Sequence, residues 1–213
     1  MAKDIILEEI FQELDAAESD ELRLTISGEA LARLNEQLKK APKHSEKAYD
    51  IAGRILILAE IHTKLLSQGD DHNGEAPLTM CGELCFILSM EINPEKLPLI
   101  FVGSLLSLAN LLGKFAFTQF QPGNSDNLFH MNMAITEVMR LALVTYDKFS
   151  KLADLSCFAT EINNIRPLEE KMPEELKTLH DKPITPYMAM DVLYDVIARF
   201  MACGLIDREE FKP

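Results

Sequence analysis

Tryptophan is absent, and glycine and proline are sparse, at nine and ten residues of 213. So little glycine and proline excludes long disordered tracts and leaves room only for short loops. Cysteine is scarce too: Cys81, Cys85, Cys157 and Cys203 are too few and too scattered for a disulfide framework. Cys81 and Cys85 sit four apart on a helical pattern. Their side chains share a face there, but a regular helix holds them in poor disulfide geometry. Buried reduced thiols are expected, as in a cytoplasm. Asp4, Glu8 and Glu9 interrupt the apolar residues at the N-terminus, so no secretory signal is read. The expected location is cytoplasmic, or that of a translocated effector without a cleavable signal.

Positive charge is also short. Lys and Arg number 21 against 34 Asp and Glu, a net charge of −13. Phosphate binding needs a cationic field, so nonspecific nucleic-acid binding over the whole surface is excluded. A protein partner with a basic surface fits this charge. The deficit is uneven. Residues 1–20 carry one Lys against seven acids, whereas residues 21–66 carry eight Lys or Arg against six.

What is present is helical periodicity. Residues 3–16 place Ile6, Ile10 and Leu14 on one face. Ser27 is expected to cap a helix over 28–40, and Ser45 one over 46–66. Residues 67–77 read as a loop. Two apolar helices follow, over 78–91 and 95–119, with Pro94 suited to a first turn. A long pattern spans 127–153 and continues after a break to Ile162. Pro167, Pro173, Pro183 and Pro186 divide the next stretch into short pieces. Thr185 and Pro186 start a helix that runs to about Cys203, Gly204 stops it, and Asp207 with Glu210 starts a last short turn. Glu21 to Ile26 alternates apolar and polar residues, which predicts the one strand of the chain. The expected fold is therefore all-α or nearly so: an irregular bundle of eight to nine helices, with at most one short strand near 21–26. One helical domain over 1–213 is expected, divisible into an N-terminal subdomain, 1–67, and a helical core, 77–213.

The uncharged run Leu97 to Gly113 decides between a membrane span and a core helix. Its 17 residues extend only about 25 Å as helix, against the roughly 30 Å of a bilayer core. Gly103, Ser107, Asn110 and Lys114 collect in a narrow polar arc, and Phe101, Leu105, Leu108 and Leu112 face away from it. Only single lysines, Lys96 and Lys114, bound the run, with no basic cluster on either flank. A core helix in a water-soluble bundle is expected, with no membrane contact.

Reactive constellations are not evident. The five histidines (His44, His62, His72, His130, His180) form neither Glu-x-x-His nor His-Glu-x-x-His. Asp70-Asp71-His72-Asn73-Gly74-Glu75 gathers metal-friendly side chains but lacks calcium-loop spacing, and reads as a solvated acidic turn. Glu169-Glu170 and Glu174-Glu175 read as a solvated face. No glycine-rich phosphate loop occurs, and no local signature marks Ser156 or Cys157 as a nucleophile. No catalytic residue, metal or cofactor is expected.

Ten methionines are more than usual. Most are core fillers, but Met131, Met133 and Met139 on one helix and Met188 and Met190 on another suggest an adaptable partner groove. These features point to a non-enzymatic acidic interaction module: an adaptor, regulatory or accessory subunit, alone or as a homodimer. An enzyme assembled from residues distant in sequence is the remaining catalytic alternative.

One segment suggests another function. Leu22 to Ile61, LRLTISGEALARLNEQLKKAPKHSEKAYDIAGRILILAEI, resembles the ribbon-helix-helix DNA-binding family in the order strand, Ser-capped helix, turn, Ser-capped helix. The resemblance implies that Arg23 and Thr25 read bases and that Ser45 sits near the DNA backbone. An acidic helix where that family has a short arm, and a longer second helix, depart from the pattern.

Overall fold

A computed structural model describes residues 7–68, 74–119, 125–169 and 184–204. Among them are eight α-helices and no strand. The helices are α1 (Leu7–Ala16), α2 (Asp20–Lys40), α3 (Glu46–Leu66), α4 (Glu75–Ser89), α5 (Pro98–Gln119), α6 (Ser125–Phe149), α7 (Ala159–Glu169) and α8 (Pro186–Ala202). Short 3-10 turns at Pro94–Lys96 and Ser156–Phe158 precede α5 and α7.

Local capping chemistry sets most of the boundaries. Ser45 Oγ accepts a hydrogen bond from the Ala48 amide and opens α3 as expected. Thr185 accepts from the Met188 amide and Pro186 takes the first position of α8. Gly204 follows α8 with φ +72°, the left-handed conformation of a helix stop. Loop 67–77 is shorter than expected, because Gly74 at φ +68° ends it and α4 begins at Glu75. Pro167 lies inside α7 rather than breaking it. The expected turn at Asp207 and Glu210, and the acidic residues Asp70 to Asn73, lie outside the described residues.

The strand expected over 21–26 is helical. Ser19 caps α2 by accepting from the Leu22 amide, with Asp20 and Glu21 in the first turn, where acids favour the helix dipole. The alternation of Leu22, Leu24 and Ile26 meets no second strand to pair with, and Leu22 is 46% exposed. Ser27, expected as a cap, is instead an interior and fully buried residue of α2.

In the packing, α4, α5, α6 and α8 form a ring in which each touches the next. Helix α3 lies against both α4 and α5, α2 covers α3, and α1 rests on α2. One hydrophobic core runs from Ile10 to Phe200. By length and composition, Pro98–Phe117 is long and apolar enough to cross a membrane, yet 61% of it is buried inside the fold. Phe101, Leu105, Leu108 and Leu112 are at most 1% exposed, whereas Asn110 and Lys114 face out. The polar arc is the open side of α5, and its apolar face is wrapped by α3, α4 and α6.

Candidate functional site

The open side of α5 borders a concavity of the described surface. Two hollows lie end to end between α3 and α5. One, of about 350 Å³, is lined by Ile57, Glu60 and Lys64 of α3, by Leu99, Gly103, Ser107 and Asn110 of α5, by Phe158 of the 3-10 turn and by Glu161 of α7. The other, of about 410 Å³, is lined by Leu7 and Glu8 of α1, Tyr49, Asp50, Gly53 and Arg54 of α3, and Leu97 just before α5. Ile57 and Ile100 line both, so the hollows adjoin and together make a groove along α3 and α5. Early residues of α3 meet early residues of α5 and later ones meet later ones, so the two helices run parallel along it.

Two glycines shape the groove. A Cβ on Gly53 would stand 3.3 Å from Ile100 Cδ1, and one on Gly103 would stand 3.2 Å from the Phe158 ring. Each glycine lets a large apolar side chain seat directly on helix backbone. The rim is charged. Lys64 pairs with Glu60 at 2.6 Å and Arg54 with Asp50 at 2.7 Å, both within α3. Glu8 and Glu161 line the same groove and enter no ion pair among the described residues. The rim therefore carries two cations against four carboxylates.

The methionines expected from sequence to form a partner groove do not line these two hollows. Met131 is fully buried core. Met139, Met188 and Met190 pack, partly buried, against that core, and Met133 is half-buried. All five sit on α6 and α8. The residues proposed to read DNA are committed to the fold. The Arg23 guanidinium donates to the Leu14 and Ala17 carbonyls, both at 3.2 Å, and pairs with Asp20 at 2.7 Å, closing the C-terminus of α1 onto α2. Thr25 donates to the Glu21 carbonyl one turn back, and Ser45 is occupied as the α3 cap. Without its strand, the ribbon-helix-helix resemblance has no geometric basis.

Three partly buried polar pairs were not legible in sequence. Ser27 Oγ and His62 Nδ1 lie 2.7 Å apart and hydrogen-bond across α2 and α3. Burial pushes the His62 pKa down, and the Glu75 charge opposes this. The spacing suits a nucleophile and base, but Ser27 has no exposed surface and also donates back toward the Arg23 and Leu24 carbonyls. A hydroxyl sealed inside a helix interface cannot attack an external substrate. Asn35 of α2 donates to Glu83 Oε1 of α4 at 3.2 Å. Burial raises the Glu83 pKa above the usual carboxylate range, against the Asn35 bond, which lowers it. Glu137 of α6 bonds Arg199 of α8, which also binds Asp195 at 2.7 Å. Burial first, then Asp195, pushes Glu137 up to about 7 against the pull of Arg199. Each pair joins two helices, which is a structural task.

Cys81 and Cys85 are buried, as expected. The Cys81 thiol donates to the Leu193 carbonyl at 3.4 Å, and its contact with Cys85 together with burial holds it protonated well above its ordinary range. Among the described residues, no three His, Cys, Asp or Glu side chains are grouped to hold a metal ion. No protein-family model, no curated protein and no solved structure matches the chain.

Proposed function

We propose that this chain is a non-enzymatic interaction module, an adaptor, regulatory or accessory subunit, which engages a basic protein partner through the groove between α3 and α5. The observation that carries the reading is the pair of adjoining hollows, with their apolar lining and carboxylate-rich rim. Apolar contact surface supplies affinity, and the charged rim orients the partner and sets the salt dependence of association. The polar arc of Gly103, Ser107 and Asn110 acquires a purpose here, since it keeps one side of an otherwise apolar helix wettable when the partner is absent.

A photo-crosslinking residue placed at Asn110 in the native host tests this. The expected result is a discrete protein adduct that is lost in Glu161→Lys and not formed from the same group at Tyr194 on α8, an exposed position. Equal adducts from both positions, or none from Asn110, would overturn it.

A further inference from the structure

Resting on that reading, we infer that the element the groove receives is a basic amphipathic helix of about four turns, with two cationic positions spaced ten or eleven residues apart. The argument starts from length. On the α3 side the lining runs from Tyr49 to Lys64, which spans about 22 Å at the helical rise and matches about fifteen helical residues.

The shape selects a helix. The walls are two parallel helices, and the apolar lining between them includes Ile57, Ile100, Leu106 and Phe158. Leu99 is 45% exposed, a large apolar side chain left at the lip. A trough between helices accepts the apolar stripe of a third helix laid along it. Strand addition needs a free sheet edge, and there is none among the described residues.

Charge fixes the sign and the spacing. Both rim cations are held by acids of their own helix, which leaves the excess of carboxylates to face the occupant. The acids stand in two groups, Glu8 with Asp50 at one end and Glu60 with Glu161 at the other. Asp50 and Glu60 are ten residues apart on one helix, about 15 Å. A ligand helix lying alongside presents side chains at that separation on one face when they are three turns apart, so lysine or arginine at i and i+10 or i+11 meets both groups.

The test uses the full chain and two fluorescent synthetic helices that share one apolar stripe, one with lysine and the other with glutamate at the two charged positions. In fluorescence anisotropy at low salt, the lysine helix is expected to bind at least about tenfold tighter than the glutamate helix. The preference is expected to shrink at high salt and to vanish in Glu8→Lys/Glu161→Lys. Ser107→Trp, or Asn110→Trp if the first variant fails to fold, is expected to abolish binding of both. Equal binding of the two helices, blocked by the tryptophan, would overturn the charge assignment and leave the groove reading intact. No binding of either helix would overturn the occupant inferred here, and the Asn110 adduct would then judge the groove by itself. Binding indifferent to the tryptophan would place the peptide elsewhere and overturn both.

Discussion

The Phe115 and Phe200 rings stack with centroids 5.5 Å apart, joining the end of α5 to α8, and Gly74 lies against both. A Cβ on Gly74 would come within 2.5 Å of the Phe200 ring and 3.2 Å of Phe115, at a φ of +68° that L side chains rarely adopt. Gly74→Ala therefore suffers both backbone strain and overpacking. A loss of about 2–4 kcal/mol is expected, read as a melting temperature lower by roughly 5–12 °C. An unchanged melting temperature would show that the stack is loose.

Most of the helical architecture was legible because it is written in local chemistry. Ser45, Thr185 with Pro186, and Gly204 are caps whose side chains or conformational freedom act within one turn. The polar arc of α5 was legible for the same reason, since a helix repeats its faces with a fixed period. Residues 21–26 misled because six residues that alternate in polarity fit a strand, whereas the cap at Ser19 and fifteen further helical residues outweigh them cooperatively.

The groove was half legible. One wall, the α5 arc, can be read from the sequence, but the other wall is α3, more than forty residues earlier, and only the packing brings the two together. For the methionines, spacing alone does not separate the two uses, because an unbranched thioether fills a core as readily as it lines a groove. The Ser27–His62 and Asn35–Glu83 pairs join positions 35 and 48 residues apart, which no local pattern encodes.

Glu83 offers a test of pH dependence. Glu83 Oε2 and Asn35 Oδ1 are buried acceptors, neither of which receives a hydrogen bond among the described residues. A proton on Glu83 supplies a donor to that site, and burial favours the neutral acid. The folded pKa is raised, so this contribution to stability is fully present below the unfolded carboxylate value and is lost as pH rises through the folded value. Glu83→Gln keeps the shape, cannot ionise and carries a permanent donor. It is expected to be more stable than the natural chain at pH 8 by about 1–2 kcal/mol, with a smaller gap at pH 5. Urea midpoints of both chains at the two pH values decide this, and a gap that shrinks as pH rises would contradict it.

His62 is expected to titrate below the free-histidine value of about 6.5, because burial disfavours its charged form. Ser27→Ala leaves the buried Nδ1 without its 2.7 Å partner and is expected to cost about 1 kcal/mol. Ring-proton NMR shifts followed against pH give the midpoint, and chemical denaturation gives the loss. A midpoint above 7 would mean that the Glu75 charge outweighs burial.

The most direct measurement of the central claim, that α5 buries its apolar face in its own neighbours and turns its polar arc to the open groove, is differential thiol labelling. The background is a Cys157→Ser/Cys203→Ser chain, leaving only the buried Cys81 and Cys85. In host extracts prepared without detergent, Asn110→Cys is expected to react rapidly with a membrane-impermeant maleimide, and Leu105→Cys, at a position with no exposed surface, only after unfolding. Reaction at both positions, or at neither until detergent is added, would contradict the account.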